Sequence, residues 1–168
     1  MTTPVLARCT CGSFRFKSAR EPIVQLTCHC LQCRQVSKSP STNFAFFKLA
    51  ESEVEGKTVV HSFTADSGTK TVRETCATCG EMLTDRTEGF PQIIGVVADR
   101  IQPPYEFQAR CHVWVESKCT GVTVPEGVKA FARSLRLTVA SGAMLVKHSA
   151  GRRVPWSRIL VERLRFGS

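Results

Sequence analysis

Three thiols crowd into Cys28-His29-Cys30-Leu31-Gln32-Cys33-Arg34, and sulfur at that density constrains this chain more than any other feature. Cys-x-Cys and Cys-x-x-Cys spacings turn thiolates toward one side of a tight loop, where a single ion about 2.3 Å from each sulfur can hold all three. Two more knuckles flank the loop, Cys9-Thr10-Cys11-Gly12 before it and Cys76-Ala77-Thr78-Cys79-Gly80 after it. Nine cysteines would also suit a secreted, disulfide-bonded protein. However, Met1-Thr2-Thr3-Pro4 opens without a basic stretch or an apolar run behind it. No apolar segment is long enough to cross a bilayer, so the expected compartment is the cytoplasm, where paired thiols bind metal.

With 168 residues, 42% of them hydrophobic, the chain can build one sizeable core. Its net charge of +9 suggests a nucleic-acid binder until it is divided: residues 1–119 carry +2 and residues 120–168 carry +7. The basic character therefore belongs to the tail, and nucleic acid is not expected as a partner of the cysteine-bearing part. We expect two regions, a zinc domain over 1–128 and a basic extension over 129–168, helical or loosely ordered. The spacing of Trp156, Ile159, Leu160 and Leu164 predicts an amphipathic helix over 154–166.

The rest reads as strands. Val5 to Arg8 and Ser13 to Lys17 form a hairpin whose tip holds Cys9 and Cys11, and Gly12 supplies the positive φ that lets the chain turn back. Ile23 to Leu26 delivers the chain into the triple-cysteine loop. Leu31 to Val36 is then a short helical turn, with its first amides facing the thiolates. Further strands are expected at Asn43 to Phe47, Thr58 to Phe63, Thr69 to Glu74, Gln92 to Val97 and Cys111 to Val115. Glu51-Ser52-Glu53 reads as a solvated turn and Pro103-Pro104 as an extended connection. The fold class is mainly β.

Seven of the cysteines divide naturally into four and three. Cys9, Cys11, Cys76 and Cys79 can join in a closed four-thiolate zinc site that pins the hairpin to the sheet. Cys28, Cys30 and Cys33 are left with one open position, which suits a catalytic ion that takes a thiol from a substrate. Cys111 and Cys119 read as ordinary thiols, with Cys111 the candidate to close the open site. His29 is expected to sit beside the metal or in solvent without ligating it, and His112 to be a hydrogen-bonded strand histidine. Arg34 could hold a substrate carboxylate or offset the thiolate charge. Phe44, Phe46, Phe47 and Trp114 read as core.

In this order, the three knuckles resemble the glutathione-dependent formaldehyde-activating family, which also includes centromere protein V. Gly95-Val96-Val97-Ala98-Asp99 and His112-Val113-Trp114-Val115-Glu116-Ser117-Lys118 are similar to two later family stretches. The resemblance implies a β-tent of stacked antiparallel sheets, with a structural zinc on Cys9, Cys11, Cys76 and Cys79 and a catalytic zinc on Cys28, Cys30 and Cys33. It also implies a carbon–sulfur lyase activity like that of S-(hydroxymethyl)glutathione synthase, with a small thiol and an aldehyde, glutathione and formaldehyde in the family, as partners and no membrane. The other reading of the same cysteines is a non-catalytic zinc module that binds protein or nucleic acid through the basic tail. Gln35 to Pro40 stands where the family has a Ser/Thr-Gly pair, and this loop is expected to border the open position.

Overall fold

Apolar and polar residues alternate from Val5 to Arg8 and from Arg15 to Ser18, so each stretch forms a strand that buries every second side chain. The computed structural model describes residues 4–65 and 68–134, together with the backbone of 137–140, 143–147 and 153–155. In chain order the strands are β1 (Val5–Arg8), β2 (Arg15–Ser18), β3 (Val24–Cys28), β4 (Thr42–Lys48), β5 (Ser52–Glu55), β6 (Thr58–Thr64), β7 (Lys70–Cys76), β8 (Met82–Thr87), β9 (Ile93–Val97), β10 (Cys111–Val113) and β11 (Lys129–Phe131), with one α-helix among the described residues, α1 (Leu31–Ser37), between β3 and β4. The architecture is mainly β, as the residue pattern predicts.

The strands build two sheets. β1, β2 and β5 make a small antiparallel sheet, and the remaining eight make a large one in the order β11-β10-β3-β4-β9-β8-β7-β6. Three short strands at Leu137–Ala140, Ala143–Lys147 and Arg153–Pro155 pair antiparallel in a third sheet. The large sheet continues past residue 128, because Lys129–Phe131 forms its edge. It is not wholly antiparallel: β10 runs parallel to both β3 and β11.

Two other expectations are corrected. Ser52–Glu55 is a strand and not a solvated turn, because its backbone completes the hydrogen bonding of β2, with Val54 opposite Phe16. Pro103-Pro104 lies in a turn closed by the Tyr105 amide on the Gln102 carbonyl, not in an extended connection. Strand β8, which no sequence pattern flagged, fills the place between β7 and β9. The helix expected over 154–166 falls outside the described residues except for Val154 and Pro155, which lie in a strand.

Each face of the large sheet packs differently. On one face Ala45, Phe47, Ile94 and Val96 meet Val5, Ala7 and Phe16 of the small sheet, and Phe14 just before β2, in the main core. On the other, Leu26, Phe44, Val97 and Val113 surround the triple cysteine. Phe47 is 1% exposed and its ring centroid lies 5.0 Å from that of Phe16, so it joins the two sheets. Phe47→Ala is expected to lower stability by about 3–5 kcal/mol in urea unfolding, since it deletes a fully buried ring at the junction. A loss well under 1 kcal/mol would show that the sheets do not depend on this contact.

Candidate metal centres and the cleft between strands

Cys9, Cys11, Cys76 and Cys79 offer four sulfurs that lie within 4.8 Å of one another, and Cys28, Cys30 and Cys33 offer three at the same closeness. All nine cysteines are free thiols. The Sγ separations are 3.7 Å for Cys9–Cys76, Cys11–Cys76 and Cys28–Cys33. A tetrahedron with sulfurs 2.3 Å from its centre has edges of about 3.8 Å, so both clusters are spaced to hold a zinc-sized ion. The division into four and three expected from the spacing is the one the fold makes.

Local folding explains the placement. Gly12 at φ +73° closes the hairpin tip, its amide bonding the Cys9 carbonyl at 3.0 Å, and the Phe14 amide donates to Cys9 Sγ at 3.3 Å. A hydrogen bond from Ser13 lowers Cys11 to about 6. Glu81 accepts from the Thr10 amide at 2.8 Å and pairs with Arg100 at 3.1 Å, which ties the first knuckle to the turn after the last.

The triple cluster is built around the start of α1. Cys30 is the N-cap residue, and its sulfur accepts from the Cys33 amide at 3.2 Å, so the helical turn does face its amides to sulfur. Hydrogen bonds from Cys28 and Cys33 hold Cys30 far below an ordinary thiol. Cys28 is pushed well up by its contacts with Cys30 and Cys33 and by burial. In Cys33 the contact with Cys28 works downward, but the contact with Cys30 and burial prevail and push it up to about 12. Like charges this close oppose one another's ionisation, which is why Cys30 is driven down while Cys28 and Cys33 are driven up.

Arg73 supplies a counter-charge that the sequence reading missed. Its Nε donates to Cys33 Sγ at 3.3 Å and its Nη1 to Asp85 Oδ1 at 2.8 Å. Burial works against the charge on Arg73, but Asp85 and Cys33 outweigh it and raise the guanidinium pKa. Burial also raises Asp85 to about 6, against the pull of Arg73. The signal available in sequence was slight: Arg73 stands three residues before Cys76, on the strand that leads into the last knuckle.

Cys28 and Cys30 lie at the base of a cleft of about 600 Å³, bordered by Arg73, Asp85, Phe46 and Trp114 among others. The four-cysteine cluster does not border it. Among the described residues no fourth cysteine, histidine or carboxylate joins Cys28, Cys30 and Cys33. Cys111, the candidate to close that site, is buried in β10 opposite Leu26 and stays apart from the cluster.

Several neighbours differ from expectation. His29 is fully buried, so solvent exposure is ruled out, and its Nε2 meets Nδ1 of His112 at 2.8 Å. Burial lowers the pKa of both rings, which keeps the pair neutral at pH 7. Arg34 reaches Cys119 Sγ and does not line the cleft. Nor does any residue from Gln35 to Pro40, because α1 runs on to Ser37 and Lys38 then takes the left-handed turn (φ 58°). Phe47 and Phe44 are core, as expected, although Phe44 also borders the cleft. Phe46 and Trp114 are only half-buried and form its wall. Trp114 has φ 59°, a left-handed backbone that costs a side-chain-bearing residue roughly 1–2 kcal/mol.

Two measurements follow from this geometry. Zinc added to the metal-free protein should bind to two ions per chain, with protons released as Cys28 and Cys33 ionise. Affinity at the triple cluster should therefore fall as pH is lowered, and uptake of a single ion, or uptake indifferent to pH, would contradict the assignment. Arg73→Met should cost about 3–5 kcal/mol in chemical unfolding by leaving Asp85 buried and unpaired, and Asp85→Leu added to it should recover much of that loss. An additive double mutant would refute the coupling.

The comparisons with known proteins agree with the cysteine pattern. The family model for the glutathione-dependent formaldehyde-activating enzyme matches residues 4–117. No curated protein sequence matches the chain. Among solved structures, the crystal structure of a Rhodobacter sphaeroides protein, a structural-genomics target, superposes with a TM-score of 0.44 at 18% identity, covering 75% of this chain and 98% of the other. No helix among the described residues is long and apolar enough to cross a membrane. Since the family model spans all three knuckles and well over half of the sequence, the chain belongs to the glutathione-dependent formaldehyde-activating enzyme family.

Proposed function

We propose that the protein is a zinc-dependent carbon–sulfur lyase that joins a small thiol to an aldehyde and splits the adduct in reverse, in the manner of S-(hydroxymethyl)glutathione synthase. Cys9, Cys11, Cys76 and Cys79 would hold a structural zinc, and Cys28, Cys30 and Cys33 a catalytic one. The observation that carries this reading is the asymmetry between the clusters: four sulfurs make a full ligand set away from the cleft, whereas the other cluster has only three, and two of its cysteines, Cys28 and Cys30, border the cleft.

When bound at the triple site, zinc supplies Lewis acidity that favours the thiolate form of an incoming thiol at neutral pH. The reaction needs no oxidant or reductant. The substrate thiol loses its proton, its sulfur lone pair forms the C–S bond, and the carbonyl electron pair moves to oxygen, which takes up a proton. The chain's own groups prepare the place for this. Arg73 offsets the charge of the sulfurs through Cys33, Asp85 fixes the guanidinium, and the α1 amide on Cys30 holds that sulfur in position. Half-buried aromatic walls keep bulk water from the adduct.

The two clusters should fail differently. Cys30→Ser is expected to abolish turnover of glutathione with formaldehyde while the circular dichroism spectrum and one bound zinc persist. Cys79→Ser should lose the fold, because it opens the site that ties the hairpin to β7. The opposite pattern, an active Cys30→Ser or a stable and active Cys79→Ser, would overturn the division of labour.

A further inference from the structure

Under the cleft runs one row of residues in register, Arg73 on β7, Asp85 on β8, Gly95 on β9 and Phe46 on β4. The Phe46 ring lies over Gly95, where a Cβ would stand 2.7 Å from its Cε1. The rim has another source. Arg133 and Ser134 border the cleft from just beyond β11, past residue 117, where the match to the family model ends. Backbone hydrogen bonds hold that segment: the Trp114 amide donates to the Arg133 carbonyl and the Glu116 amide to the Ala132 carbonyl, both at 3.3 Å. The root of the Arg133 side chain is therefore fixed beside Trp114, while the side chain itself is 65% exposed.

Among the described residues, the cleft is lined by three arginines, Arg73, Arg86 and Arg133, against one carboxylate, Asp85. A ligand that carries a carboxylate matches that balance. Burial then decides which guanidinium can receive it, because each already has a partner. Arg73 and Asp85 meet at 2.8 Å with side chains only 7% and 17% exposed, and Arg73 also holds Cys33. Opening that pair would leave charges unpaired in the interior. Arg86 meets Glu74 at 2.9 Å, and Glu74 is itself buried, accepting from Thr58 and Thr84, so Arg86 is committed for the same reason. Arg133 and Glu116 differ: they meet at 2.8 Å, but their side chains are 65% and 42% exposed. An ion pair in that much water is worth at most about a fivefold factor in equilibrium, little enough for an incoming carboxylate to displace Glu116.

We propose that Arg133 is the specificity-determining residue at the rim, which takes a carboxylate of the thiol substrate in exchange for Glu116. The inference rests on the lyase reading for the sulfur end of the substrate and goes beyond it in assigning the far end to a residue outside the family match. Glu116 is then a competitor for the same guanidinium, so the two members of the pair influence binding with opposite signs. A salt bridge that served only the fold would give them the same sign.

The test is equilibrium binding to the zinc-loaded full-length chain by calorimetry, with S-methylglutathione, a stable thioether, and its dimethyl ester, which lacks both carboxylates. Arg133→Gln should weaken S-methylglutathione by about fivefold to twentyfold and leave the ester unchanged. Glu116→Gln should tighten S-methylglutathione by about twofold to fivefold, again without effect on the ester. Arg133→Lys keeps the charge but loses the forked geometry, and should fall between the parent and Arg133→Gln. The inference is overturned if Arg133→Gln binds like the parent, if both glutamine variants shift binding in the same direction, if the ester loses affinity in parallel, or if S-methylglutathione does not bind at all. The lyase reading fails separately. The expected shifts without conversion of glutathione and formaldehyde would sink that reading and leave the role of Arg133 standing. Conversion by a protein whose binding ignores Arg133 would do the reverse.

Discussion

Like charges held a few ångströms apart in a protein interior repel strongly, and three thiol groups within 4.8 Å at Cys28, Cys30 and Cys33 impose that constraint here. Much around the cluster answers it. The Cys33 amide at the head of α1 donates to Cys30, Arg73 donates to Cys33, and Asp85 anchors Arg73 from the next strand. A dication would neutralise two of three thiolates, and the guanidinium beside them offsets the third. Asp85 then returns one negative charge at a distance, where it orients more than it repels. The buried pair is better understood as support for the sulfurs than as a source of fold stability, since burying two charges costs about as much as their attraction returns.

The large sheet separates two tasks by face. One face, through Phe47 and Val96, packs on the small sheet and provides the core. The opposite face carries the cysteine loop, the aromatic wall and the Arg73–Asp85 pair. Because side chains alternate along a strand, β4 serves both at once, sending Ala45 and Phe47 inward and Phe44 and Phe46 toward the cleft. A rigid sheet is thus the floor of the site, and the residues that would touch a ligand inherit its precision. The four-cysteine cluster acts at the edge of this arrangement, joining the β1–β2 hairpin to the end of β7 across 67 residues of sequence.

The local features were legible because they rest on short-range chemistry. The cysteine spacings, the hairpin tip at Gly12, the helical turn after Cys30 and most strands follow from neighbours within a few positions. Errors fall where long-range pairing decided. Ser52-Glu53-Val54-Glu55 has the composition of a surface turn, yet it is a strand because β2 needed an edge partner. Strand β8, Met82-Leu83-Thr84-Asp85-Arg86-Thr87, has too little apolar periodicity to announce itself, and its two neighbours fix it. His29 reads in sequence as lying beside the metal or in solvent, and the fold excludes solvent by sealing it against His112, 83 residues on.

By itself the sequence determined that sulfur would be gathered into a group of four and a group of three, since a knuckle's spacing already dictates which way its thiols turn. It also determined a chain rich in strands, through alternation and turn residues. Only the tertiary structure decided what stands around the open group. Arg73, Asp85, Gly95 and Phe46 come from four strands, and nothing in their sequence neighbourhoods relates them. Their relation is register across a sheet, and register is set by how whole strands bury their apolar faces, which no local stretch contains.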